Sequence, residues 1–399
     1  MRQSYITSLG AFLPGPGVSN DEMESRLGFV GGAPSRFRER ILESNGITNR
    51  HYALDEQGNQ THLNQDLAAE AVQRTLAKRG IGLGEVGMLS AGTTMPDLLM
   101  PGFASMVHGR LAEDDPTAAP MEILSASGIC ASGAAAMRAA NNSIRLGDHD
   151  RAIAVASELP SSMMKASRFE QESALAEDRQ DVATAYQYFN ADFLRWMLSD
   201  GAGSVLFESE PHPTELSLRV DWIELTSYAN AHPTCMFLGT SDPRNPSIGN
   251  TWLSVDNATE ADKAGMMVIR QDTQLLAESL LPVGLDEAKR LIKSGRVDLD
   301  LGYDWFLPHM SSYFFKDFLS VGLSEIGLDI PEDRWFTNLT TRGNTGSASM
   351  FIMLEEAMSS GRFKEGDRIL AFVPESGRFV MSVMQFTCVA PDSKPEVVR

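Results

Sequence analysis

Cys130-Ala-Ser-Gly-Ala-Ala-Ala-Met137 and Asn344-Thr-Gly-Ser-Ala-Ser-Met-Phe351 are two copies of one pattern. Each reads as the opening of a helix rich in small residues, and the helices run to Gly147 and Gly361. An Arg-led strand ending in Glu follows each: Arg151-Ala-Ile-Ala-Val-Ala-Ser-Glu158 and Arg368-Ile-Leu-Ala-Phe-Val-Pro-Glu375. The loop between glycine and strand is three residues longer in the second copy. The repeat is too long for a solenoid unit and describes a fold built from two similar halves. Between Cys130 and Ala140 the first helix carries Ala, Ser and Gly on nearly every side, with only Met137 and Arg138 large. A helix without a polar face is a buried one. Small residues all round predict close packing between two sheets. Two α/β halves, each giving one helix to a central layer, make a five-layered αβαβα sandwich.

The flanking sequence agrees. Tyr5–Leu9 reads as a strand, Thr61–Lys78 as a helix ended by Gly80, Val86–Ala91 as a strand, a helix from about Gly102, and Met121–Leu124 as a strand. Such alternation implies parallel strands covered by helices. The softest boundary is Ser209-Glu210-Pro211-His212-Pro213, after the apolar strand Ser204–Phe207. It divides the chain into an N-terminal half, 1–210, carrying Cys130, and a C-terminal half, 211–399, carrying His309 and Asn344.

Length and composition bound the function. A chain of 399 residues with 43% hydrophobic and 22% charged residues buries a sizeable core. A formal charge of −19 disfavours nucleic acid and anionic membrane surfaces, because no global basic surface exists to neutralise phosphates. No apolar run near the start suggests a signal peptide, and no stretch is long enough to span a bilayer. The three cysteines, Cys130, Cys235 and Cys388, cannot form a disulfide framework and suit a reducing compartment, so a cytoplasmic location is expected. The Gly80-x-Gly82-x-Gly84 run follows a helix rather than a strand, which makes it a turn and not a dinucleotide fingerprint.

Three residues are placed for chemistry. Cys130 follows the Met121–Leu124 strand through a short turn and opens the buried helix, where the helix dipole favours a thiolate and backbone N–H groups can hold an oxyanion. A lone cysteine is commonly just a small buried hydrophobe, and Cys235 and Cys388 are read that way. His309 ends the apolar strand Tyr303–Pro308, just before a helix from about Ser312, at the sort of strand end where α/β proteins put their sites. The six other histidines (His51, His62, His108, His149, His212 and His232) are read as surface residues. Asn344 opens the second repeat helix, where it could equally be an ordinary N-cap. The repeat relates Cys130 to Asn344, and a pseudo-twofold would bring both helix starts together.

These residues, in this order, resemble the thiolase superfamily, and within it the ketoacyl synthase III-like condensing enzymes. The likeness runs through Gly46-Ile47-Thr48-Asn49-Arg50, Ser125-Ala-Ser-Gly-Ile-Cys130-Ala-Ser-Gly133, Asp200-Gly-Ala-Gly203, Pro308-His309 and Gly343-Asn344-Thr345. It implies that Cys130 is acylated by a thioester. His309 and Asn344 would then donate to the carbonyl of a second thioester, stabilising the enolate that attacks acyl-Cys130 and forms a carbon–carbon bond. No metal or redox cofactor is implied. A homodimer is, with Thr93–His108 reaching towards the partner's site. Departures from the family pattern are equally specific. Ser312 stands where an asparagine usually follows the histidine. Arg40 stands where CoA-using members often carry a tryptophan, so an acyl carrier protein is favoured over free CoA. Pro374-Glu375-Ser376-Gly377-Arg378 replaces a glycine-dense loop, and Glu158–Asp200 is longer than usual, with an extra helix expected over Asp181–Leu198. The segments Pro34–Gly46 and Arg50–Leu54 are similar to the DarB-type enzymes, which condense two acyl thioesters, one a 3-ketoacyl species, towards dialkylresorcinol-like rings.

Transfer of the acyl group from Cys130 to an oxygen or nitrogen acceptor would need Asn344 less, and a silent partner subunit would not need Cys130. Acyl carrier proteins are acidic, so docking one on this chain requires a local basic patch. Lys289, Arg290, Lys293 and Arg296 share a helical stretch and form the candidate, with a solvated helix face as the alternative.

Overall fold

The computed structural model describes residues 1–170, 189, 192–391 and 393. The N-terminal half contains β1 (Tyr5–Phe12), α1 (Asn64–Arg79), β2 (Met88–Thr93), α2 (Phe103–Asp114), β3 (Glu122–Ser127), α3 (Ala131–Leu146), β4 (Arg151–Glu158) and β5 (Gly201–Glu208). The C-terminal half contains β6 (Ser217–Ser227), α4 (Thr273–Lys293), β7 (Trp305–Pro308), α5 (Lys316–Glu325), α6 (Ser349–Ser359), β8 (Arg368–Pro374) and β9 (Val380–Val389). The extra helix expected over Asp181–Leu198 falls largely outside the described residues, although 192–195 at its end are helical.

The strands follow the order β7-β8-β9-β6-β1-β5-β4-β2-β3. Reading outward from the middle, β1-β5-β4-β2 on one side mirrors β6-β9-β8-β7 on the other. In both, the strand after the buried helix pairs parallel with an earlier strand and antiparallel with the next one: β4 with β2 and β5, β8 with β7 and β9. The counterpart of β3 is reduced to a single parallel bridge between Phe306 and Trp335, extended by the Phe336 N–H donating to Phe306 O at 2.9 Å. The two sheets expected from the repeat are joined edge to edge, because Tyr5 and Ile6 pair with Arg219 and Leu218. The result is one sheet of nine strands wrapped round two central helices. On one side α3 packs against β2, β3 and β4, and on the other against β6, β8 and β9; α6 packs on β1 and β5. Helices α1 and α2 cover the outside of the first half, and α4 with α5 covers the second, completing the αβαβα order.

The small residues of the central layer have a direct steric cause. A Cβ on Gly133 would lie 2.3 Å from Ser347 O, and one on Gly203 would lie 2.4 Å from Phe351 Cβ. Any side chain at either position would push the two central helices, or the sheet beneath them, apart. A well-packed interior cannot absorb that without loss. The packing holds both helix starts in one place. No helix among the described residues is long and apolar enough to cross a membrane.

Candidate active site

Cys130 sits at the N-cap of α3, held by the β3 turn that precedes it, with its backbone already in the right-handed helical region (φ −57°, ψ −32°). His309 follows β7 directly, and its backbone N–H donates to Phe372 O of β8 at 2.8 Å. Asn344 is fixed on both backbone sides: its N–H donates to Met197 O, and its carbonyl accepts from Ser199 N–H, both at 2.9 Å. Its side-chain Oδ1 accepts from Gly346 N–H, also at 2.9 Å. The helix it was expected to open begins later than the repeat suggests. A 3₁₀ turn over Gly346–Ala348 comes first, entered through Gly346 at φ +52°, and α6 starts at Ser349.

Cys130, His309 and Asn344 are 7%, 4% and 5% exposed, and all three line one pocket. Apart from Glu158, Gln271 and a few hydroxyls the remaining lining is apolar, and Met95, Met163, Met164, Met197, Met236 and Met310 all belong to it. Methionine side chains are flexible and polarizable, which suits a lining that accommodates alkyl chains of different shape. The sequence offered one signal for this, 20 methionines in 399 residues, without saying that six would converge. Both described ends of the long Glu158–Asp200 segment reach the pocket, through Met163 and Met164 and through Leu194, Met197 and Leu198.

The electrostatics differ from the helix-dipole expectation for Cys130. Burial pushes the thiol well above its ordinary range, and the nearby carboxyls of Glu375 and Glu158 push it further. Desolvation penalises the thiolate more than the helix N-terminus favours it. Burial lowers His309 to about 4, so its imidazole is neutral at physiological pH. Its Nε2 is buried without a hydrogen-bond partner among the described residues. A neutral imidazole protonated at that nitrogen is a donor aimed at nothing in the resting protein, which is unusual for a buried polar atom.

Two buried carboxyls were missed as site residues. Glu158, the last residue of β4, lines the pocket, and burial raises it to about 7. Glu375, in the loop that departs from the family pattern, is raised to about 7 by the same cause, while the backbone N–H groups of Ile129 and Arg378 hold its charged form. The sequence showed both as strand-ending glutamates of the repeat, and nothing local marked them as buried.

Other expectations fall differently. Ser312 does not line the pocket; its Oγ donates to Ser44 O at 3.2 Å and accepts from Phe314 N–H, tying the turn after His309 to the segment before Gly46. Gly46 has φ +70°, and a Cβ there would lie 2.2 Å from the Tyr313 ring, so both conformation and space require glycine. Asp200 is a structural anchor: its carboxylate accepts from Ala53 N–H, Ser161 N–H and Ser161 Oγ. Of the histidines read as surface residues, His51 and His212 are buried; the His51 ring contacts Gly15 O, and His212 Nδ1 accepts from Thr214 and Glu215 N–H. In the basic patch Lys289 pairs with Asp286, Arg290 with the fully buried Glu287, and Arg296 with Glu224. Each pairing weakens the local positive field.

Two family models match the chain. The β-ketoacyl synthase N-terminal domain covers residues 60–212, and the 3-oxoacyl-[acyl-carrier-protein] synthase III C-terminal domain covers residues 303–384. The chain is 24% identical over 370 residues to a β-ketoacyl-[acyl-carrier-protein] synthase III of Anaplasma marginale (strain St. Maries), covering 93% of this chain and 95% of that one. It superposes on AbyA1, a tetronic acid condensing enzyme, with a TM-score of 0.71 at 20% identity, over 96% of this chain and 99% of the other. The C143S variant of Xanthomonas campestris OleA, solved with lauric acid and lauroyl-CoA bound, gives a TM-score of 0.68 at 20% identity, over 96% and 99%.

Proposed function

We propose, from the similarity of this chain to β-ketoacyl-[acyl-carrier-protein] synthase III proteins, that it loads an acyl group on Cys130 and condenses it with a second acyl thioester, malonyl- or 3-ketoacyl-type. The observation that carries the reading is the convergence of Cys130, His309 and Asn344 on one apolar pocket. His309 offers an unpartnered Nε2 to an oxyanion. Asn344, whose Oδ1 is occupied by Gly346 N–H, has its amide N–H₂ left to donate. Two such donors on one thioester oxygen stabilise the enolate, which then attacks acyl-Cys130. The raised thiol implies that Cys130 loses its proton during attack on the first thioester rather than resting as a thiolate.

The six-methionine lining supports alkyl substrates, and the similarity to DarB-type segments supports a role in specialised, dialkylresorcinol-like or polyketide-like chemistry. The acyl donor is carrier-bound, docking on Lys289, Arg290, Lys293 and Arg296. A homodimer is supported by β3, an edge strand with Ile123 and Leu124 exposed, and by the adjacent Leu99 and Met100, which are 77% and 82% exposed. An open apolar edge strand is an unstable surface unless paired.

The experiment is intact-mass analysis after incubation with acyl thioesters, followed by product analysis with the second thioester. A Cys130 adduct that yields a 3-oxoacyl product supports the reading. An adduct that moves to alcohols or amines without a ketide product favours acyl transfer, and no adduct favours a silent subunit.

A further inference from the structure

Among the described residues Glu158 is the one carboxyl lining the pocket that holds Cys130, His309 and Asn344, and the condensation as described leaves it without a task. Its two oxygens differ. Oε1 is saturated: it accepts from Thr94 N–H and Oγ1 at 3.1 and 2.7 Å, and from Ser347 N–H and Oγ at 3.2 and 2.6 Å. Thr94 follows β2, and Ser347 lies in the 3₁₀ turn after Asn344, so the carboxyl is clamped between the two halves of the molecule. Oε2 accepts no hydrogen bond from the described residues, and the side chain lines the cavity. One oxygen fixed by four donors and the other open is the arrangement of a positioned base.

The remaining lining bears on the donor. Among the described residues no lysine or arginine lines the pocket. A malonyl carboxylate would enter a buried space with no cation to receive it and a carboxyl already present. A 3-ketoacyl thioester brings no charge, and its α-hydrogens, between two carbonyls, are far more acidic than those of a simple acyl thioester.

We propose that Glu158 is the base that removes the α-proton of the donor thioester, and that the donor is of the 3-ketoacyl class, condensed without loss of carbon dioxide. This rests on the condensing role proposed above. The α-C–H bond breaks and its proton passes to Glu158 Oε2, while its electron pair becomes the enolate held by His309 and Asn344. The α-carbon attacks the acyl carbonyl on Cys130, the new carbon–carbon bond forms, and the carbon–sulfur bond breaks. The departing Cys130 thiolate takes the proton from Glu158, which returns both groups to their starting states with no other reactant. The direction of that last transfer agrees with the acidities: burial raises Glu158 to about 7 and holds the thiol higher still. A base near 7 is half ionised at physiological pH, close to the optimum for general catalysis.

The test is Glu158→Gln, which keeps an oxygen for Thr94 and Ser347 and removes the base. Cys130 acylation by an acyl thioester is followed by intact mass. Solvent deuterium entry at the α-carbon of a 3-ketoacyl thioester is followed by NMR, above the uncatalysed rate. The variant should still acylate, no slower than wild type because a carboxyl that holds the Cys130 thiol up is removed, while enzyme-dependent exchange and condensation fall by roughly 10²–10⁴ and the ionisation near 7 disappears from the pH–rate profile. Exchange and condensation at the wild-type rate with the same profile would overturn the proposal. If Glu158→Gln does not fold, the wild-type protein still decides: decarboxylation of a malonyl thioester without catalysed exchange of the 3-ketoacyl α-hydrogen overturns it as well. Failure of Cys130 to acylate in the wild type would instead refute the condensing role itself.

Discussion

Replacing His309 by alanine separates acylation from condensation, and the structure sets the size of the effect. In the resting protein Nε2 has no partner among the described residues, so its loss breaks no hydrogen bond to them, and the backbone N–H bond to Phe372 O survives. The imidazole is neutral, with its ionisation lowered to about 4, so the substitution removes no charge from around Cys130. Acylation should therefore continue. The enolate loses one of two donors, which costs about 2.7–4 kcal/mol, a fall of roughly 10²–10³ in condensation rate. The assay pairs intact mass of acyl-Cys130 with chromatographic detection of the 3-oxoacyl product on the same samples. Asn344→Ala should divide the two steps in the same way. Because both side chains serve one oxygen, the double variant should lose less than the sum of the single losses. His309→Ala condensing at the wild-type rate would refute the shared oxyanion site, and His309 would then be a packing residue whose orphan nitrogen has another cause.

Cys130→Ala should behave oppositely, abolishing the acyl adduct while leaving any enolisation of the second thioester measurable by deuterium exchange; an adduct elsewhere on the chain would displace Cys130 as nucleophile. Glu375 carries a folded-state ionisation raised to about 7 by burial, so its contribution to stability is present below its unfolded value near 4.5 and is lost as pH rises through 7. Thermal denaturation of Glu375→Gln should consequently show a shallower loss of Tm between about pH 5 and 8 than wild type, and an equal or steeper loss would contradict the assignment. Reversing Lys289 and Lys293 to Glu should raise KM for carrier-bound substrate and spare small thioester mimics; equal effects on both would remove the docking patch. Ile123→Lys with Leu124→Lys on the exposed edge strand should shift the species measured by light scattering from dimer to monomer, and an unchanged mass would place the interface elsewhere.

Much of the fold was legible because it follows from local rules. Arg151–Glu158 was read as a strand to its exact ends, and Gly80 and Gly147 stop their helices in left-handed conformations at φ +74° and +85°. The repeat made the buried central helices readable, since residues as small as those around Gly133 have no use at a surface. Cys130, His309 and Asn344 were legible as candidates because each sits at the end of an element whose period or composition changes there. What the sequence could not carry is anything set by distance across the sheet. The thiol of Cys130 was expected to be favoured as an anion by its helix, yet burial and two carboxyls from strand ends 28 and 245 residues further along the chain (158 − 130 and 375 − 130) reverse the sign. The same packing turns Glu158 from the last residue of a strand into a clamped carboxyl inside a pocket. It also buries His51, which looked solvated, and gathers six scattered methionines into one lining. Helix and strand signals act over a few residues and are written locally. Desolvation depends on every group that excludes water from a point, and that is fixed only when the two halves close on each other.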